Sequence, residues 1–382
     1  ASSTSSTFFV GRIMASAPPV IKALVLVGGF GTRLRPLTFT KPKPLVEFCN
    51  KPILLHQIEA LAKVGVKQIV LAIAYHPEDM YAFIEEFDID LICSEEETPL
   101  GTAGPLGLAR KYLESCDYFF VFNSDITCNY PLDSLLTFHK SHGGEGTIMV
   151  THVNEPSKYG VVVFDVEKAG RIEHFVEKPT TFVSAYINAG LYCFTPTVLR
   201  RIDPDGLGVP VSMEKQVFEE MVADGQLHAL AKELKYWMDI GQPPDYLTGM
   251  AMHLKWLRTN SPEVLATGDH IVGNVLVHPD AVIGEGCKIG PDVVIGEGCV
   301  LEPGVRLQGS TLLGFSHASS HCCIKDSIIG WHSMVGSWAH VSMLSVLGER
   351  VIIAPETVIL GAKVLPHKSL KQPVTKPGTI VM

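Results

Sequence analysis

Hydrophobic and polar positions follow two different rules along this 382-residue chain. Up to about residue 255, short apolar runs alternate with longer segments whose apolar positions recur at helical spacing. The runs Ala23–Val27, Gln68–Ala74, Asp90–Cys93 and Tyr118–Phe122 predict strands, and Ile53–Val64, Glu78–Phe87 and Ala103–Leu113 predict helices between them. That alternation predicts an α/β domain with a Rossmann-like, mostly parallel sheet covered by helices on both faces. Ligands of such sheets bind beyond the carboxyl ends of the strands. Two loops stand at such ends, Gly28-Gly29-Phe30-Gly31 and Asn123-Ser124-Asp125.

From Ile271 the period changes to six. Aliphatic residues recur at Ile271, Val277, Ile283, Ile289, Ile295, Leu301, Leu307 and Leu313 and, after one break in phase, at Ile329, Val335, Val341, Leu347, Ile353, Ile359 and Leu365. Small or apolar residues (Ala281, Cys287, Val293, Cys299, Val305, Thr311) follow four positions later. Hexapeptide repeats of this kind predict a left-handed parallel β-helix, whose coils bury their apolar corners only by stacking on one another. Cys287 and Cys299 then belong to its core. The expected layout is a leader without fixed structure, or an appended remnant, at 1–20, the α/β domain at 21–255 and the β-helix at 256–382.

Composition narrows the ligand. With 46 % hydrophobic and 19 % charged residues the chain can bury two cores. A net charge of -9 argues against a nucleic-acid or membrane-surface partner, so any phosphate site must be a local basic pocket in an acidic body. Nine cysteines without a C-x-x-C pair read as reduced thiols, which suits the cytoplasm. His321-Cys322-Cys323 lacks the second spaced pair a zinc site needs. No apolar run reaches the ~20 residues of a membrane helix, and residues 1–19 lack the regions of a signal peptide.

The glycine loop supplies the chemistry. At Gly28, Gly29 and Gly31 the backbone N–H groups are uncovered by side chains and can approach an anion closely. Arg33, Arg35, Lys41 and Lys43 follow as cations suited to a polyphosphate. The loop is neither G-x-x-x-x-G-K-[ST] nor G-x-G-x-x-G. Taken alone, it reads equally well as a tight strand-to-helix turn.

With Thr32-Arg33-Leu34-Arg35-Pro36-Leu37-Thr38 and Pro42-Lys43-Pro44-Leu45 attached, the segment resembles the signature of the sugar-nucleotide pyrophosphorylases. The β-helix behind it makes the arrangement similar to the GDP-mannose pyrophosphorylases of the catalytic beta type. Further matching words run in order: Asn50-Lys-Pro, Pro99-Leu-Gly-Thr-Ala-Gly-Pro-Leu106, Asn123-Ser-Asp125, Lys158-Tyr-Gly-Val-Val162, Val176-Glu-Lys-Pro179, Ile187-Asn-Ala-Gly190 and Trp237-Met-Asp-Ile-Gly-Gln-Pro243. Two departures stand beside them: Glu47 where the family usually has a proline, and a short stretch from Phe83 to Asp90.

The resemblance implies that 21–255 is a nucleotidyltransferase domain joining GTP to mannose 1-phosphate, with GDP-mannose and pyrophosphate as products. Because a sugar 1-phosphate is already an anion, the site needs charge neutralisation and in-line alignment rather than a general base. The implied catalytic residues are Arg33, Lys43, Asp125 and Lys178. Asp125 and Asp239 would hold Mg²⁺, whose preferred ligands are hard carboxylate and phosphate oxygens. Gly28, Gly29, Gly31, Thr32, Glu96, Gly101 and Asn123 would contact the nucleotide; Gly160, Glu177, Lys178 and Asn188 the sugar phosphate. A carboxylate at Glu96 can accept from the paired N–H donors of guanine. As isolated residues, both aspartates read as solvated loop acids, and Glu177-Lys178 as a surface ion pair.

Other readings stay open: another nucleotidyltransferase using glucose 1-phosphate with UTP or dTTP, an added acyltransferase site using His317, His321, His332 or His340, or a non-catalytic regulatory subunit. The hexad repeat predicts a homo-oligomer assembled through the β-helix, since stacked coils present flat, partly apolar side walls and an open end that a partner covers; the resemblance leaves room for association with a related regulatory subunit.

Overall fold

A computed structural model describes residues 18–29, 31–73, 77–84, 89–203, 209–231 and 234–382. The first domain is built on one nine-stranded sheet. Its strands are β1 (Ile21–Leu26), β2 (Gln68–Ile73), β3 (Asp90–Glu95), β4 (Tyr118–Asn123), β6 (Gly146–His152), β7 (Gly160–Asp165), β8 (Arg171–Glu177), β9 (Tyr186–Phe194) and β10 (Leu227–Ala231); β5 (Ile126–Cys128) and β11 (Trp237–Asp239) pair separately. The sheet order is β3-β2-β1-β4-β9-β6-β10-β8-β7.

The strands read from the first third of the chain, β3-β2-β1-β4, are all mutually parallel. β1, β2 and β4 read as nearly unbroken apolar runs because both faces are covered, whereas β3, at the sheet edge, carries Asp90, Ser94 and Glu95 and is only partly buried. Ala23 and Val25 enter one core while Leu24 enters the other, and Phe120 and Phe122 separate from Phe119 and Val121 in the same way. Beyond β4 the sheet is mixed, since β9 runs antiparallel to both β4 and β6 while β10 is parallel to β6.

Most element boundaries shift by one or two residues from the sequence reading, and two of the differences have a clear physical reason. The helix expected over Ala103–Leu113 is two short helices, Gly104–Leu108 and Arg110–Leu113, meeting at Ala109, whose ψ of 2° is not helical. Gly104 and Gly107 weaken the helix there, and Gly107 lets Ile202 approach: a Cβ would lie 3.2 Å from its side chain. The strand expected over Asp90–Cys93 continues to Glu95, so the Glu96 N–H reaches the Ile73 carbonyl at 2.8 Å. Residues 1–17, Phe30, Ala74 and residues 85–88 lie outside the described residues.

The second domain is a parallel β-helix of three sheets with seven, six and five strands. Ile289, Ile295, Leu301, Leu307, Ile329, Val335, Val341, Leu347, Ile353 and Ile359 fill its interior as the hexads require. Cys287 and Cys299 are buried there, as expected. Leu313 and Leu365 are not interior positions. Pairings such as Val294↔Thr311 and Val346↔Lys363 show coils one residue short of three hexads. The short step moves Leu312 and Val364 inside, lets Ala318 and Ile324 occupy what looked like a break in phase, and turns Leu313 outward.

Leu313 faces the first domain. It packs in a core shared by Leu34, Leu37, Phe48, Tyr246, Met250, Val294, Ile328 and Trp331, with the helix Pro243–Asn260 between the domains. The Asn50 side-chain amide also donates to the Ile295 carbonyl at 2.9 Å.

A histidine cluster braces the far side of the sheet and carries a pH prediction. The Gly144 N–H donates to His142 Nδ1 at 2.9 Å, so the His142 proton sits on Nε2, which meets Thr147 Oγ1 at 2.7 Å. The Thr147 hydroxyl is then free to donate to His139 Nδ1 at 2.8 Å. Burial lowers His139 to about 4 and His142 to about 3, with the neighbouring His228 adding to both shifts. Unfolded histidines take up protons near pH 6.5 and these folded ones only far below it, so stability is lost as pH falls through that window. The melting temperature is expected to drop by roughly 5 °C or more between pH 7 and pH 5. A His139→Gln, His142→Asn double variant should flatten that dependence; an identical slope would refute the cluster's role.

Candidate active site

The carboxyl ends of β1 and β4 form one wall of a cavity of about 360 Å³. Gly28, Gly29, Gly31, Thr32, Arg33, Lys43, Glu96, Gly101, Asn123 and Asp125 all line it. Gly31 has φ +58°, and a Cβ there would lie 3.0 Å from the Lys43 side chain, so the glycine loop and the lysine segment touch through this residue. Thr38 locks the same contact by donating its hydroxyl to the Gly31 carbonyl at 2.8 Å. Gly101, at φ +75°, is pressed on the Val211 carbonyl, which a Cβ would meet at 2.5 Å.

The two aspartates meet through a short ladder. β5 and β11 are antiparallel with Asp239 opposite Ile126, and the Ile240 N–H donates to the Asp125 carbonyl at 2.9 Å. Trp237 anchors β11 by donating its indole N–H to the Ala189 carbonyl at 2.9 Å. Asp239 Oδ1 accepts the Gly241 N–H at 2.9 Å, and Gly241 lines the cavity. Burial and then the Asp125 charge push the Asp239 carboxyl above the usual range, against the pull of Lys43 and Arg33. Lys43 Nζ lies 2.5 Å from Asp125 Oδ2, and Arg33 stands 3.9 Å from the same oxygen. Arg33, Lys43 and Asp125 thus line the cavity, while Asp239 is not part of the lining and lies behind Gly241.

The residues read as sugar-side form a separate group outside that cavity. Gly160 pairs with Glu177 across β7 and β8, and a Cβ at 160 would lie 2.9 Å from Glu177 Oε2. Lys178 takes φ +47°, is held by its N–H on the Tyr159 carbonyl, and rests Nζ 2.7 Å from Glu177. Its side chain is 65 % exposed. Asn188 donates to the Tyr192 hydroxyl and accepts from the Gly190 N–H. Gly190 in turn lies against Asn123, where a Cβ would come within 2.9 Å, so this group adjoins the cavity through Asn123.

Sequence reasoning missed Thr102 and Glu214, which also line the cavity. Glu214 sits on a single π-helical turn, Met213–Val217, and accepts from Thr102 Oγ1 at 2.6 Å and Ser212 Oγ at 3.0 Å. No local signal marks it. It reaches the site because Val211 pairs back onto Leu100 and Ala103.

A model of the nucleotidyl transferase family matches residues 22–255, and one described as a GMPPB C-terminal domain matches 271–380. The chain is 55 % identical to a probable mannose-1-phosphate guanylyltransferase 2 of Oryza sativa subsp. japonica, over 94 % of this chain and 100 % of the relative. It is 54 % identical, with the same coverage, to the mannose-1-phosphate guanylyltransferase catalytic subunit beta of Danio rerio. The chain belongs to the mannose-1-phosphate guanylyltransferase family. Among solved structures, a putative glucose-1-phosphate thymidylyltransferase from Bacillus anthracis is similar with a TM-score of 0.55 at 20 % identity, over 60 % of this chain and 94 % of the other. That likeness concerns the fold alone.

Nucleotidyltransferases of this family use a divalent metal. Asp125 and Asp239 fit one: both are carboxylates, the Ile240 N–H beside Asp239 joins the Asp125 carbonyl, and the Asp239 carboxyl, raised first by burial and then by the Asp125 charge, would be relieved by a cation. Among the described residues no cluster of three or more metal-binding side chains exists. A pair of carboxylates suits an ion whose other ligands are water and substrate phosphates. No helix among the described residues is long and apolar enough to cross a membrane.

Proposed function

We propose that this chain transfers GMP from GTP to mannose 1-phosphate. A phosphate oxygen of mannose 1-phosphate forms the new bond to the α-phosphorus, the α–β bridging bond breaks, and pyrophosphate leaves with its electron pair. The observation that carries the reading is the convergence of Asp125, Asp239, Lys43 and Arg33 beside the glycine loop. Mixing GTP with mannose 1-phosphate and following ³¹P resonances should give GDP-mannose and pyrophosphate; unchanged substrates would overturn the reading.

Each residue has a charge to manage. The N–H groups of Gly28, Gly29 and Gly31, with Thr32, cradle the polyphosphate, while Arg33 and Lys43 offset the charge that builds on the departing pyrophosphate. Asp125 and Asp239 hold Mg²⁺, which when bound neutralises phosphate charge around the reacting phosphorus. Glu96, fixed at the cavity wall by the Leu100 N–H at 3.0 Å, accepts from the guanine edge, with Gly101 and Asn123 beside it. Lys178 swings from Glu177 to grip the sugar phosphate; Glu177, Asn188 and Gly160 line the hexose side.

Lys178→Ala removes a substrate contact rather than a folding contact. It should raise the KM for mannose 1-phosphate about tenfold or more and leave the Mg²⁺ dependence unchanged. An unaltered KM would remove Lys178 from the site.

The reading includes self-association through the β-helix, with a related regulatory subunit as a further partner, and a cytoplasmic location that suits nine free thiols. One outer face of the β-helix stacks Val282, Val300, His317, Met334 and Ile352 in register. Val282, Met334 and Ile352 are exposed there, an apolar stripe that a second copy would cover. Cutting the chain near residue 260 would expose the inter-domain core as well, so surface substitutions give the cleaner test. Met334→Glu with Ile352→Glu should shift light-scattering mass toward a smaller species; an unchanged mass would count against this face.

A further inference from the structure

We propose that Glu47 and Trp331 are positioning residues through which the β-helix holds the catalytic lysine segment in register; the kinetic part of this inference rests on the guanylyl-transfer reading. Trp331 lies in the β-helix and is 6 % exposed, and its indole N–H donates to Glu47 Oε2 at 2.6 Å. The other Glu47 oxygen takes Lys41 Nζ at 2.8 Å, and that ammonium lies 4.6 Å from the Trp331 ring centroid. Lys41, Glu47 and Trp331 close a triangle across the two domains.

Lys43 sits inside that triangle's chain segment. It opens the one-turn helix Lys43–Leu45, which is closed by the Val46 N–H on the Lys43 carbonyl at 3.2 Å. Both ends of the segment 41–47 are therefore fixed to one indole, and the segment's middle delivers Nζ to Asp125. The Glu47 carbonyl also accepts the Tyr246 hydroxyl at 2.6 Å, from the first turns of the helix that follows Asp239 and Gly241. Glu47 thus ties the lysine segment, the second aspartate's connection and the β-helix together. Effective catalysis by a preorganised charge depends on its placement to within about 1 Å. A β-helix that supplies the anchor is part of the active-site framework.

Trp331→Phe keeps the ring and deletes the donor, while Glu47→Gln keeps an acceptor and deletes the charge. Trp331→Phe should lower kcat about tenfold with both KM values within about twofold of the parent. Glu47→Gln should fall in the same direction, and the double variant should lose less than the product of the two, since both act through one contact. Ile353→Val, inside the coils and away from the interface, should lower stability and leave kcat alone. Hydrogen exchange is independent of the reaction: the Leu45 and Val46 amides should exchange faster in Trp331→Phe while those of β4 do not change. Parental kcat with parental exchange would overturn the proposal, as would a kcat loss that merely follows the melting temperature. Absence of GMP transfer in the parent would defeat the functional reading instead, and faster exchange at Leu45 and Val46 would still support the anchor.

Discussion

Asp125→Asn and Asp239→Asn are each expected to cut the rate of GMP transfer by about 10²-fold or more, with little change in folding. Asparagine keeps the shape and volume of either side chain. The Asp125 backbone carbonyl still receives the Ile240 N–H, and an amide oxygen at 239 can still receive the Gly241 N–H. What is lost is one of two adjacent negative charges. The Mg²⁺ concentration for half-maximal rate should therefore rise in both variants. In Asp239→Asn the buried repulsion with Asp125 also disappears, so the melting temperature should hold or increase. Titrating rate against Mg²⁺ checks this, and an Asp125→Asn protein with parental rate and titration would end the metal-site proposal.

Lys43→Ala should lose a similar factor by a different route. Its ammonium is nearly buried and sits 2.5 Å from Asp125 Oδ2, where it competes for the carboxylate that would hold the ion. Deleting it frees Asp125, so the half-maximal Mg²⁺ concentration should stay level or fall while kcat drops about 10²-fold, because the charge offsetting the departing pyrophosphate is gone. Arg33 cannot replace it, standing 3.9 Å from Asp125 with its side chain 62 % exposed. A raised Mg²⁺ requirement in Lys43→Ala would mean that the lysine supports the metal rather than the leaving group.

The contrast between these residues reflects what the chain's pattern makes legible. The glycine loop, Arg33 and Lys43 follow a strand buried on both faces, whose apolar run announces both the strand and the functional end of the sheet. The proximity of Asp239 to Asp125 depends instead on two three-residue strands, too short to carry a period, and only the resemblance connected them. Glu214 was invisible for a similar reason: its place follows from Val211 folding back onto Leu100 and Ala103, a long-range pairing with no local signature. In the β-helix the hexads located the interior to within one residue per coil. They missed the shortened step that turns Leu313 toward the first domain, and with it the shared core that makes Trp331 a neighbour of Glu47.

The central claim is that the cavity at the ends of β1 and β4, where Arg33 and Lys43 face Glu96, Asp125 and Glu214 rather than forming the purely basic pocket expected from the sequence, is specific for metal-dependent guanylyl transfer to mannose 1-phosphate. Its most direct test is kcat/KM, read as pyrophosphate release, for GTP, UTP and dTTP each paired with mannose 1-phosphate and glucose 1-phosphate under saturating Mg²⁺. The account predicts that GTP with mannose 1-phosphate exceeds every other pair; more efficient turnover of glucose 1-phosphate with UTP or dTTP would contradict it while leaving the fold and the cavity as described.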